Sequence, residues 1–142
     1  MAFTIVEVLV AVTVLALLGT GAIAGLLSIN RIVVTNRLTT NAQAIAQTQI
    51  DRILGEPYPQ GCAAPTALAT GTTTQTSVPI YRDPVSGDVI VAGTVTTTVN
   101  DVSRTIVAGL PAAKLLQATV AVSYSFGGRP GGVALTTVRT VD

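Results

Sequence analysis

Few residues in this chain could do chemistry, and their spacing narrows what that chemistry is. The sequence has no His, one Cys and seven acids against eight Lys and Arg. Without His, the commonest general base and metal ligand is missing. Cys62 stands alone, so no intrachain disulfide forms and no c-type haem attachment exists. Cys62 reads as a small apolar residue, with a disulfide between subunits as the alternative. Neither the Ser residues nor Lys114 has an accompanying base, so no nucleophile constellation is present. No Gly-rich phosphate loop follows a strand. Asp83 and Asp88 bracket a turn and Asp101 lies elsewhere, with oxygen ligands that would suit calcium. Their spacing matches no calcium loop, and they read as polar turn residues. No catalytic site, cofactor or metal is expected. The remaining candidate is Glu7, a single carboxylate at the head of 23 uncharged residues that end at Arg31.

The element that positions Glu7 follows from that run. Val, Leu, Ile and Ala dominate it, with Gly19, Gly21, Gly25 and a few Thr and Ser. As a helix it spans roughly 35 Å, enough for a hydrocarbon core of about 30 Å. It has no polar face, so lipid or a dry protein bundle must surround it. A secretory signal would begin with positive charge and end at a cleavage site. Here the first ionisable side chain is an acid, and the run passes into a polar helical pattern. A carboxylate at the edge of an apolar span costs free energy and usually signals function. In a purely structural reading, Glu7 sits at the membrane–water edge and favours the helix N-terminus through the macrodipole.

Phe3-Thr4-Ile5-Val6-Glu7-Val8-Leu9-Val10-Ala11 resembles the N-terminus of type IV pilins and pseudopilins. In that family a leader is cut before an N-methylated residue, usually Phe, with a Glu four residues later and then a long apolar helix. Phe3 matches the methylated position and Glu7 the acid. Family leaders end in Gly and carry basic residues, whereas Met1-Ala2 precede Phe3 here, so a mature start at Met1 or at Phe3 stays open. The resemblance implies that Glu7 pairs with a neighbouring subunit's amine at Phe3. It also implies a prepilin peptidase and an assembly machine with an ATPase as partners, a homopolymer as product, and an inner-membrane stage before assembly. By the same resemblance, Gly19, Gly21 and Gly25 fall where assembled pilins lose helical structure, predicting a stretched segment in the filament. Their plainer role is close helix packing, for which Gly21 and Gly25 have the small-x-x-x-small spacing.

Further along, Leu38, Ala42, Ile45, Ala46, Ile50, Ile53 and Leu54 recur at three- and four-residue steps, the mark of an amphipathic helix. Gly55 and Pro57 stop it. One helix is thus predicted from Phe3 to Leu54, about 75–80 Å if unbroken. A chain of this length cannot bury both halves, so the first is expected to protrude and the second to pack on a small domain. Residues 55–71 read as a connecting loop. Beyond them, Thr and Val favour strands at Thr73–Ile80, Val89–Asn100, Leu116–Phe126 and Val133–Val141. In the third, Ala118, Val120, Val122, Tyr124 and Phe126 share one face, expected to lie on the amphipathic helix. Arg82–Asp88 and Gly127–Gly132 read as turns, and Ala108–Leu116 as a loop or short helical turn. The expected fold class is α+β: a long N-terminal helix on a small antiparallel sheet. Residues 1–30 form the membrane span and filament core, 31–55 the amphipathic half, and 56–142 the loop and β domain.

Charged residues make up 11% of the chain, against about 25% in average globular domains. The deficit extends past the N-terminal span, so much of the remaining surface is expected to be uncharged or buried between subunits. A net charge of +1 leaves no electrostatic footprint for nucleic acid; Arg31 and Arg37 read as marking the exit from membrane or filament core. The 22 Thr suit strands, with O-linked sugar as the sharper alternative. Phe3 is the one aromatic residue on the long helix, which argues against an aromatic path for electrons. Taken together, these features predict a structural subunit of a type IV pilus-like extracellular filament. The alternatives are a minor pseudopilin of a type II secretion-like system and, in another class, a membrane-anchored surface binding module.

Overall fold

A computed structural model describes residues 4–57, 64–103 and 115–140. Its order is helix α1 (Ile5–Gly55), a single 3-10 turn (Thr66–Leu68), and strands β1 (Gly71–Arg82), β2 (Val89–Asp101), β3 (Leu115–Phe126) and β4 (Arg129–Thr140). The strands form one antiparallel sheet in the order β1-β2-β3-β4. The long helix on a four-stranded antiparallel sheet is the expected α+β arrangement. The chain divides into two compact units, Met1–Arg37 and Leu38–Asp142.

In the first unit the backbone is helical from Ile5 and remains so through Gly19, Gly21 and Gly25. A glycine in a helix interior costs up to about 1 kcal/mol relative to Ala. Long apolar flanks with satisfied backbone hydrogen bonds outweigh three such losses. The stretching expected at these glycines concerns a packed filament; the single chain is helical there.

In the second unit the core forms between one stripe of α1 and one face of the sheet. Leu38, Ala42, Ala46, Ile50 and Ile53 are buried, as their spacing predicts. Ile45 is half-buried at the edge of the stripe. Leu54, expected on the stripe, is exposed, because the turn that buries Ile53 carries it round to the solvent side. From the sheet come Val91, Val95, Val99, Leu116, Ala118, Val120 and Val122. Their register places Val95 opposite Val122 and Val99 opposite Ala118, so one layer of apolar side chains, most of them branched, meets the helix. Ala42 and Ala46 are fully covered. No buried side chain among the described residues is polar or charged.

Long-range hydrogen bonds among the described residues fasten this part of the helix to the strands. Asn41 Nδ2 donates to the Ile80 carbonyl at 2.9 Å. The Thr39 and Tyr124 hydroxyls share a bond of 3.2 Å. Arg139 Nη1 donates to the Ile53 carbonyl at 2.7 Å, satisfying an acceptor at the helix C-terminus, where carbonyls lack intrahelical partners and a cation is favoured.

Three strand details differ from the sequence expectation. The last hairpin turns at Gly127-Gly128 alone, with φ of 58° and 75°, the left-handed pair that a two-residue hairpin turn needs. β4 therefore starts at Arg129, and Pro130 is tolerated because β4 is an edge strand. Phe126, expected in the buried face, is exposed beside that turn. At the other edge, β1 is irregular: register shifts fall between Gln75 and Arg82, and Ser77 has φ of 60°. The loop before β1 contributes Leu68 to the core.

Candidate functional site

The candidate site is the N-terminal part of α1, and it starts with a cap. Thr4 precedes the helix, and its Oγ1 accepts from the Glu7 amide at 3.3 Å while its carbonyl accepts from the same amide at 3.0 Å. Thr-x-x-Glu is the spacing of a capping box, in which a hydroxyl satisfies an amide that the helix leaves without a partner. The sequence reading missed this role of Thr4, although the four-residue signature was there to find it. The cap holds Glu7 in the first helical turn, where its negative charge complements the helix dipole.

The Glu7 side chain is exposed. It stands at one end of a shallow depression formed by Val8, Ala11, Val12 and Leu15. The nearest side-chain cation on the helix is Arg31, about 36 Å along the axis at 1.5 Å per residue. On its C-terminal side the carboxylate therefore faces the apolar side chains of Val8, Ala11, Val12 and Leu15. Phe3 lies outside the described residues, as do Cys62 and Lys114.

From Ile5 to Val33 the helix exposes its large apolar side chains on every side, and none of its most apolar window is buried. By length and composition this segment can cross a membrane. Two hydroxyls inside it are satisfied locally. Thr13 Oγ1 donates to the Leu9 and Val10 carbonyls, at 3.0 and 2.8 Å. Thr20 Oγ1 does the same with Ala16 and Leu17, at 3.1 and 3.0 Å. Such back-bonding lets a polar side chain enter a dry environment without an unmet hydrogen bond. Nothing lies within 4 Å of a Cβ added at Gly19, Gly21 or Gly25, so within the chain these glycines are not needed for close packing.

The acidic turn is occupied with its own backbone. Asp83 Oδ1 accepts from the Val85 amide at 2.8 Å and the Ser86 amide at 3.3 Å. Gly87, at φ of 76°, closes the turn onto the Asp83 carbonyl, and the Asp83 amide donates to the Asp88 carbonyl at 2.8 Å. No group of three metal-ligating side chains occurs among the described residues.

Compared with family models, curated proteins and solved structures, the chain finds no match.

Proposed function

We propose that this chain is the structural subunit of a type IV pilus-like extracellular filament that polymerises through its N-terminal helix. The observation that carries the reading is the unbroken helix from Ile5 whose apolar side chains are exposed on all sides. A surface of that extent is stable in lipid or against other helices, and not in water. Before assembly the helix rests in the inner membrane. In the polymer the same surface meets the helices of identical subunits. Moving it from lipid to a dry bundle changes its hydrophobic energy little, since lipid tails are as apolar as Leu, so a dedicated machine can draw subunits across. That machine, and a peptidase that methylates Phe3, are the partners the N-terminal motif implies.

Glu7 sets the register in this scheme. An unpaired carboxylate in a dry bundle costs several kcal/mol. The amine at Phe3 of a neighbouring subunit removes that cost at one axial offset and at no other. The test is Glu7→Val as the sole copy in the producing cell. Filaments in the sheared surface fraction are expected to fall below detection, while the subunit stays in the inner-membrane fraction. Filaments at the native yield would sink the register role.

A further inference from the structure

The sheet face turned away from Leu38–Ile53 is unusual for an exposed face. Thr72, Thr98, Thr119 and Thr136 stand in one row across all four strands. Within that row the Thr72 and Thr98 hydroxyls are 3.3 Å apart, and those of Thr119 and Thr136 are 3.1 Å apart. The next row is Thr74, Thr96, Ala121 and Ala134, followed by Thr94, Ser123 and Gly132. On the other side lie Asn100, Gln117 and Val138. No Asp, Glu, Lys or Arg occupies any of these positions. By register, Arg129 and Arg139 of β4 fall on the opposite, helix-facing side, level with Phe126 and Leu116. Exposed sheet surfaces normally carry charge, which keeps copies apart. Here the hydroxyl character continues into the shallow depression at the β1 irregularity, lined by Thr76, Ser77, Thr94, Ser123 and Ser125.

We infer that this face is a contact between copies of the chain, in which it meets the same face of a second subunit. The occupant follows from the chemistry. A hydroxyl is donor and acceptor at once, so a surface of hydroxyls complements itself. A charged partner would find no counter-charge, and a purely apolar one would leave the hydroxyls unmatched. A second copy offers hydroxyls and methyls at the same strand spacing of about 4.8 Å, and the short side chains allow two sheets to stack about 10 Å apart.

The area decides when the contact matters. Three strands over nine paired positions give a face of about 15 by 30 Å. Two such faces cover close to the 1,000 Å² or so at which specific interfaces begin. One contact is therefore weak, and contacts repeated along a polymer hold through their number. The inference rests on the filament reading: it becomes lateral pairing of filaments through the threonine rows.

The experiment compares sheared filaments of the full chain with those of Thr119→Lys, Thr136→Lys, Thr119→Ser and Val85→Lys, by negative-stain microscopy and low-speed pelleting. Native filaments are expected to lie paired and to pellet. Either lysine variant at Thr119 or Thr136 should give filaments of native length that stay single, with at least about a tenfold loss of pelleted material, restored by salt that screens like charge. Thr119→Ser and Val85→Lys, the latter in the exposed β1–β2 turn, should pair as the native chain does. Thr136 is exposed on an edge strand, so its lysine variant tests the contact without burdening the fold. Single native filaments, paired lysine variants, or an equal loss in Val85→Lys would each overturn the inference and leave the polymer standing. Absence of any native filament would overturn the polymer reading and this inference with it.

Discussion

Gly93 offers a sharp test of how closely the sheet and its edge strand are packed. It lies in β2, paired with Val78 on one side and Tyr124 on the other. A Cβ added there would sit 2.6 Å from the Ser123 carbonyl oxygen and 2.9 and 3.0 Å from the Ile80 side chain. The first obstacle is backbone, held in the β2–β3 ladder, and Ile80 is buried, so neither can swing aside. Gly93→Ala should therefore cost about 1–3 kcal/mol, the usual penalty for overfilling a packed site. For a unit of roughly 100 residues, 1 kcal/mol lowers the midpoint by about 4–8 °C, which puts the shift at about 4–24 °C. Two other glycines calibrate it. At Gly131 an added Cβ would meet the Tyr124 ring at 2.7 Å, a side chain that can move if it gives up its bond to Thr39, so the loss should be smaller. At Gly19 nothing lies within 4 Å, and Ala should leave the sheet's melting unchanged. The assay is thermal unfolding of the full chain in detergent, followed by tyrosine near-ultraviolet circular dichroism. A Gly93→Ala midpoint within about 1 °C of the native chain would refute the argument, because 1 kcal/mol is the least such a clash can cost.

Other outcomes follow from the same geometry. Arg139→Gln removes a charged donor from the Ile53 carbonyl and should cost about 1–3 kcal/mol, read in the same melt; an unchanged midpoint would mean that water serves that carbonyl equally well. Thr4→Ala removes the cap on Glu7 and should cost the helix about 1 kcal/mol, seen as faster amide exchange confined to its first turn. Gly21→Ala with Gly25→Ala should raise helix stability by up to about 2 kcal/mol. If the filament stretches the helix there, that pair should also lower filament yield while leaving membrane insertion intact, and an unaffected yield would count against stretching.

Much of the architecture was legible because it is local. A 23-residue uncharged apolar run reads as a helix long enough to cross a membrane, and steps of three and four residues from Leu38 name a buried stripe. Strand alternation in Leu116–Val122 likewise assigns its own inward face. Boundaries slipped where two local rules competed. Six residues from Gly127 look like loop by composition, yet two suffice for the turn, and the ladder with β3 recruits the rest. Leu54 and Phe126 were placed by periodicity on faces that stop short of them, since burial also needs a partner opposite.

The sequence by itself determined the lone acid, the apolar span, the stripe and the four strands, because each depends on side chains close along the chain. Tertiary structure decided the rest. It brought Arg139 to Ile53, Asn41 to Ile80 and Tyr124 to Thr39, contacts between residues far apart in the chain. It also aligned Thr72, Thr98, Thr119 and Thr136 into one row. Register between strands is set by which faces can be buried together. That choice turned scattered threonines into a single uncharged surface.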